Sequence, residues 1–145
     1  MSSRSSEKAN GPTALFSPPD KASITQIRVG VDMVQVRRIV ALLDKYGDRF
    51  ARRVFTDREL STCGKRAERL AARFAAKEAV SKAFGTGIGR ISWREIEVIN
   101  DATGRPELVL TGRAKRLAEE LGLSTWTLSL SHTREQAIAF VVAAG

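Results

Sequence analysis

The sequence predicts an α+β domain with a mainly antiparallel sheet packed against one long helix. Three observations carry that prediction. Residues 24–31 alternate apolar and polar side chains with a two-residue period, as do segments near the C-terminal end. Residues 65–84 contain no Gly or Pro and are rich in Ala, which favours a helix. The order strand, helices, hairpin, helix, hairpin joins strands mostly through short turns, and such strands run antiparallel.

Composition bounds the partners. A chain of 145 residues, 43% hydrophobic and 28% charged, fits one soluble globular domain. No run approaches the roughly 20 apolar residues of a membrane span, so no membrane partner is expected. The single cysteine, Cys63, rules out an intrachain disulfide and a Cys-rich zinc site. It fits a reducing compartment, and a cytoplasmic location is expected. The net charge of +8 calls for an anionic partner, and most of the excess is concentrated: residues 37–82 hold 13 Lys/Arg against 6 Asp/Glu. Aromatic content of 6% is thin for a stacking platform on single-stranded nucleic acid. Zinc-finger spacing and aromatic RNA-binding motifs are also missing, so nucleic acid is not the expected partner.

The elements follow in order. Residues 1–23, dominated by Ser, Pro, Gly and Lys, read as a tail without hydrophobic periodicity, and residues 24–145 as the single domain. The strand at 24–31 leads into Asp32, placed at the strand end, where it can serve a site and also cap the next helix. Residues 34–46 read as that helix, with Val36, Ile39, Val40 and Leu43 in one stripe. After Gly47-Asp48, residues 49–55 set Arg49, Arg52 and Arg53 around Phe50, Val54 and Phe55. That is either a short amphipathic turn or an arginine surface for an acidic partner. Thr56-Asp57-Arg58-Glu59 has the pattern of a capping box and starts a helix that Gly64 interrupts. Cys63 reads as a packing residue.

The long helix ends in Gly85-Thr86-Gly87-Ile88-Gly89. Residues 93–99 alternate, with Ile96 and Val98 on one face and Glu95 and Glu97 on the other. The turn cluster 101–106 and the strand 108–111 complete a hairpin. Residues 112–121 form a helix that turns Ala114, Leu117, Ala118 and Leu121 inward and stops at Gly122. Residues 126–131 form a strand, 132–135 a turn and 137–143 a buried strand.

The chemistry-bearing residues are Asp32, Glu78, Lys82, the glycine turn and Ser129-Leu130-Ser131-His132. Glu78 and Lys82 lie four apart and share a helix face. Such a pair is commonly a solvated surface pair, and a glycine turn is commonly a helix C-cap. His132 alone reads equally as a turn histidine. Two carboxylates and a lysine before a glycine turn can also hold a metal-bound diphosphate, with positions left for phosphate and water.

The ordered set resembles the holo-acyl-carrier-protein synthases, small single-domain members of the 4′-phosphopantetheinyl transferase superfamily. The residues that carry the resemblance are Gly30-Val31-Asp32 with Arg38 six further on, Phe74-Ala75-Ala76-Lys77-Glu78-Ala79, Lys82-Ala83-Phe84-Gly85-Thr86-Gly87 and Ser129-Leu130-Ser131-His132-Thr133. It covers residues 27–142, leaving the tail outside the family pattern. The resemblance implies the fold of that superfamily and transfer of 4′-phosphopantetheine from coenzyme A to a serine of apo-acyl carrier protein, releasing adenosine 3′,5′-bisphosphate.

The roles follow from the same resemblance. Asp32 and Glu78 match the metal-binding carboxylates, for Mg²⁺ or Mn²⁺, and Lys82 matches the lysine on the coenzyme A diphosphate. Gly85, Thr86, Gly87 and His132 match segments lining the coenzyme pocket. Arg38, Arg49, Phe50 and Arg53 match the region that receives the acidic carrier protein. The base that takes the serine proton stays open between a metal-bound water, Glu78 and Asp32. Homotrimers with sites at subunit interfaces are implied, as is a place in fatty acid biosynthesis and lipid metabolism. Whether the carrier is of fatty-acid or polyketide type is left open.

Overall fold

The computed structural model describes residues 23–145, so the expected tail at 1–23 lies outside the described residues but for Ser23. The element order is β1 (Ile27–Gln35), α1 (Val36–Tyr46), α2 (Asp48–Val54), α3 (Asp57–Cys63), α4 (Ala67–Phe84), a 3₁₀ turn (Trp93–Glu95), β2 (Ile96–Asn100), β3 (Pro106–Leu110), α5 (Gly112–Glu120), β4 (Thr125–His132) and β5 (Gln136–Ala144). The expected α+β class holds, with every strand pair antiparallel. The strands form two sheets rather than one: a three-stranded sheet ordered β1-β5-β4 and a separate β2-β3 hairpin.

Helix α4 is the centre of the molecule. Ala71, Ala72, Ala75, Ala76, Ala79 and Ala83 are all buried along it. These small side chains let the helix axis come close to the three-stranded sheet. The approach is closest at Gly30, where a Cβ would lie 1.8 Å from the Ala79 carbonyl oxygen. Gly30 therefore allows β1 and α4 to touch backbone to backbone. Arg28 Nη1 donates to the Phe84 carbonyl at 2.9 Å and pins the end of α4 to the same strand.

Inner and outer faces of the three-stranded sheet follow the strand period. Gly30 and Val34 of β1 and Ala137, Ala139, Val141 and Ala143 of β5 are buried. Ile27, Val29, Val31 and Met33 of β1 point the other way and are exposed, as are Ile138 and Phe140 of β5. The register sets Val31 opposite Phe140 and Met33 opposite Ile138, so these side chains form one contiguous apolar face.

Several boundaries differ from the sequence reading. Strand β1 runs on to Gln35, so Asp32 sits within the strand, paired with Ala139, and not at its end. Nor does Asp32 cap a helix: α1 starts at Val36, and Gln35 occupies its N-cap position. The apolar/polar alternation in fact continues through Met33, with Asp32 on its polar phase beside Arg28 and Gly30, so Asp32 does not end the strand. Residues 93–95 form a 3₁₀ turn rather than the start of a strand. Glu97, expected on an outer face, is 9% exposed, because Thr56 Oγ1 donates to it and Arg58 pairs with it at 3.5 Å. His132 belongs to β4 instead of the following turn. Leu121 follows α5 as its C-cap and is half-buried.

The capping box is present as read: Thr56 Oγ1 accepts from Glu59 N at 3.2 Å, and Glu59 Oε1 accepts from Thr56 N at 2.9 Å. Cys63 is buried, and burial pushes its thiol up from the ordinary value, which suits a packing residue. Among the described residues no helix is long and apolar enough to cross a membrane.

Candidate active site

Three charged side chains converge where β1 crosses α4. Asp32 projects from the inner face of β1, and its side chain is 19% exposed. Glu78 and Lys82 stand one turn apart on one of the few stretches of α4 that are not buried. Lys82 Nζ donates to the Val31 carbonyl at 2.9 Å and to Asp32 Oδ1 at 3.1 Å. The lysine thus bonds to a residue 50 positions away rather than forming the local Glu78–Lys82 pair considered from sequence. Burial raises the Glu78 carboxyl above its ordinary 4.5, and the negative Asp32 adds to the rise, while Lys82 and Arg38 oppose it. The two carboxylates are therefore close enough to feel one another.

That donor set fits a hard divalent cation. Asp32 and Glu78 offer carboxylate oxygens, and Mg²⁺ is commonly bound by one or two carboxylates together with substrate phosphates. Among the described residues no group of three or more His, Cys, Asp or Glu is arranged to hold a metal ion by itself. The remaining ligands of a cation here would come from water and substrate.

The glycine turn begins three residues after Lys82, at the end of α4. Gly85 adopts the left-handed conformation at φ 77° and caps α4 through its N–H to the Lys82 carbonyl. Thr86 N donates to the Ser81 carbonyl at 3.2 Å, and Ser81 Oγ donates to the Thr86 carbonyl at 2.7 Å. Around Gly87 a Cβ would meet nothing within 4 Å, which leaves open space at the turn. The C-cap reading is thus realised.

His132 stands apart from this cluster. It lies on β4, in register with Ala137, whereas Asp32 is in register with Ala139. Two strand spacings and a two-residue offset put it about 12 Å from Asp32 along the same sheet face. It is exposed.

Arg38, Arg49, Phe50 and Arg53 do come together. They line one groove of about 500 Å³ between α1, α2 and the start of the hairpin. The groove also has an apolar floor that the sequence reading did not identify, including Leu42, Val54, Phe74 and Trp93. Phe74 and Trp93 stack with ring centroids 5.0 Å apart. The Arg38 guanidinium lies 5.6 Å from the Phe74 ring centroid. Phe74 sits one turn before Glu78, so the groove opens beside the acidic pair. The sequence signals for the floor were Val54 among the arginines and Phe74 on the helix face of Glu78; Trp93 is distant in sequence and gave none.

A second ion pair beneath the site was also not anticipated. Lys77 is fully buried and donates to Glu59 Oε1 at 2.7 Å and to the Trp93 carbonyl at 3.0 Å. It also donates to the Ile96 carbonyl, and Val98 N donates to Glu59 Oε2 at 3.1 Å. Burial pushes the Lys77 ammonium below its ordinary value, and the Glu59 carboxylate resists that. The pair joins α3, α4 and β2, and it fixes the segment that carries Trp93.

Comparison with known proteins gives a consistent picture. Residues 28–141 match the model of the 4′-phosphopantetheinyl transferase superfamily. The chain is 50% identical over 123 residues to the holo-[acyl-carrier-protein] synthase of Herpetosiphon aurantiacus, covering 80% of this chain and 97% of that protein. It is 46% identical to that of Gloeobacter violaceus, covering 81% and 92%. Among solved structures, the holo-[acyl-carrier-protein] synthase of Neisseria meningitidis matches with a TM-score of 0.74 at 43% identity, over 80% of this chain and 96% of that one. The Helicobacter pylori synthase, solved in complex with coenzyme A, matches with a TM-score of 0.74 at 29% identity, over 79% and 98%.

Proposed function

Because the chain belongs to the 4′-phosphopantetheinyl transferase superfamily, we propose that it transfers 4′-phosphopantetheine from coenzyme A to a serine of an apo-acyl carrier protein. The observation that carries this reading is the meeting of Asp32, Glu78 and Lys82 beside an arginine-rimmed groove. Its rim suits an acidic carrier, and its charged end suits a diphosphate.

In this reading Asp32 and Glu78 hold a Mg²⁺ or Mn²⁺ ion. Bound there, the ion would neutralise charge on the diphosphate oxygens. Lys82 directs its ammonium to the same diphosphate, and the open turn at Gly85, Thr86 and Gly87 lines the coenzyme pocket together with His132. The distance between His132 and Asp32 suits an elongated coenzyme. The serine hydroxyl attacks the β-phosphorus of coenzyme A and forms a new P–O bond. The bond from that phosphorus to the bridging oxygen breaks, and adenosine 3′,5′-bisphosphate leaves. The hydroxyl proton passes to a base at the same site, and Lys82 lies near the charge that develops on the leaving oxygen.

Arg38, Arg49 and Arg53 attract and orient the carrier, while Phe50, Phe74 and Trp93 give it an apolar seat. The exposed face of Val29, Val31, Met33, Ile138 and Phe140 supports self-association, since such a contiguous patch marks an interface. A homotrimer would cover it.

The test is the intact mass of a purified apo-acyl carrier protein after incubation with the enzyme, coenzyme A and Mg²⁺. A gain of one phosphopantetheine arm, abolished by chelator and by Asp32→Ala, is expected. No gain across several carrier proteins, with the enzyme folded, would refute the reading.

A further inference from the structure

The Lys82 ammonium makes both its hydrogen bonds to β1: one to the Val31 carbonyl at 2.9 Å and one to Asp32 Oδ1 at 3.1 Å. Its side chain is 55% exposed, against 19% for Asp32, so the lysine tip lies on the solvent side of the carboxylate. Glu78 is one helical turn away, raised by burial and by Asp32 and held down by Lys82 and Arg38. The charge of the two carboxylates is thus balanced by side chains of the protein itself.

We infer that Lys82 is a displaceable counter-cation that couples the binding of the divalent metal to the binding of the diphosphate. The inference rests on the reading of Asp32 and Glu78 as metal ligands. A metal ion bound by Asp32 competes with the ammonium for that carboxylate and places a second positive charge next to Lys82. Without another anion nearby, the lysine loses its partner and meets a like charge. A diphosphate changes both conditions. It gives the ammonium a new acceptor, frees Asp32 Oδ1, and supplies oxygens to the metal that two carboxylates alone do not. Metal and coenzyme therefore bind with positive coupling, and by linkage each raises the affinity of the other by the same factor. Lys82 is long and half-exposed, so it can swing between the two acceptors without rearranging α4.

The experiment measures Mn²⁺ binding by the electron spin resonance signal of the free ion, with and without coenzyme A and without any carrier protein. In the wild type, Mn²⁺ binds weakly alone and much more tightly with coenzyme A. In Lys82→Met, Mn²⁺ alone binds roughly tenfold more tightly than to the wild type, and the enhancement by coenzyme A shrinks by a similar factor. Arg38→Gln is the control for simple loss of a nearby positive charge, because Arg38 influences Glu78 without bonding to Asp32. It changes Mn²⁺ affinity by less than about threefold. A Lys82→Met protein that binds Mn²⁺ no more tightly than the wild type, or no more tightly than Arg38→Gln, would overturn the inference. Asp32→Asn separates this failure from a deeper one. If the wild type binds Mn²⁺ with coenzyme A and Asp32→Asn does so equally well, the metal reading of the site falls, and the inference with it.

Discussion

Gly30→Ala tests whether the close approach of β1 and α4 is what assembles the site. The new Cβ would lie 1.8 Å from the Ala79 carbonyl oxygen, 2.7 Å from the Ala79 carbonyl carbon and 3.1 Å from Ala83 N. All three atoms are backbone, so no side chain can swing aside. Real Cβ contacts essentially never fall below 3.0 Å, so strand and helix must separate by at least 1.2 Å, the difference from 1.8 Å. Overpacking of this kind costs about 1–3 kcal/mol, and a rigid backbone contact belongs at the upper end. The same separation carries Asp32 away from Glu78 and Lys82. A displacement of about 1 Å at a reacting centre can cost about 100-fold in rate. Urea denaturation followed by fluorescence reads the first quantity, and the initial rate of holo-carrier formation under conditions where the variant is folded reads the second. A Gly30→Ala protein with an unchanged urea midpoint and turnover would refute the argument.

Four further outcomes are expected. Lys77→Met leaves Glu59 buried without its cation and should cost about 3–5 kcal/mol of stability, and adding Glu59→Gln, which removes the uncompensated charge but keeps an amide oxygen as acceptor, should bring the loss in the double variant well below the sum of the two single losses; additive losses in urea denaturation would show that the pair is not coupled. Glu78→Gln should stabilise the chelator-treated protein at neutral pH. The folded state raises the Glu78 carboxyl above 4.5 and so holds its proton more tightly than the unfolded chain, which means this carboxyl lowers stability as pH rises through and beyond that value. The gain should fade below pH 4.5, and thermal melting across pH checks it. Arg53→Ala should raise KM for the carrier protein by roughly three- to tenfold with little change in KM for coenzyme A, and the difference from wild type should shrink at high salt. Phe140→Glu puts a charge into the exposed apolar face and should shift the protein to monomers in light scattering; an unchanged mass would remove that face from any interface.

Elements with local causes can be read from the residues alone. The unbroken run to Phe84, the capping box at Thr56 and Glu59, and the alternation of β1, β4 and β5 each depend on residues within a turn or two of one another. The resemblance also named Asp32, Glu78 and Lys82 together, although neither period nor propensity connects Asp32 to Lys82 across 50 residues. How they meet depends on the packing of distant segments. Glu78 and Lys82 share a helix face by spacing alone, but whether that face looks at water or at another carboxylate depends on which strand packs against it. Gly30 settles that by letting β1 approach Ala79.

Lys77 shows the same limit from the other side. A lysine in a helix reads as exposed, because burying an ammonium is costly. Here the 3₁₀ turn and β2 return their carbonyls, and α3 brings Glu59, to the one place where that cost is met. Trp93 joins the groove for the same reason, since Phe74 finds it only after the chain has folded back. Local sequence fixes period, propensity and caps; which polar groups end up facing one another is fixed by how distant segments pack.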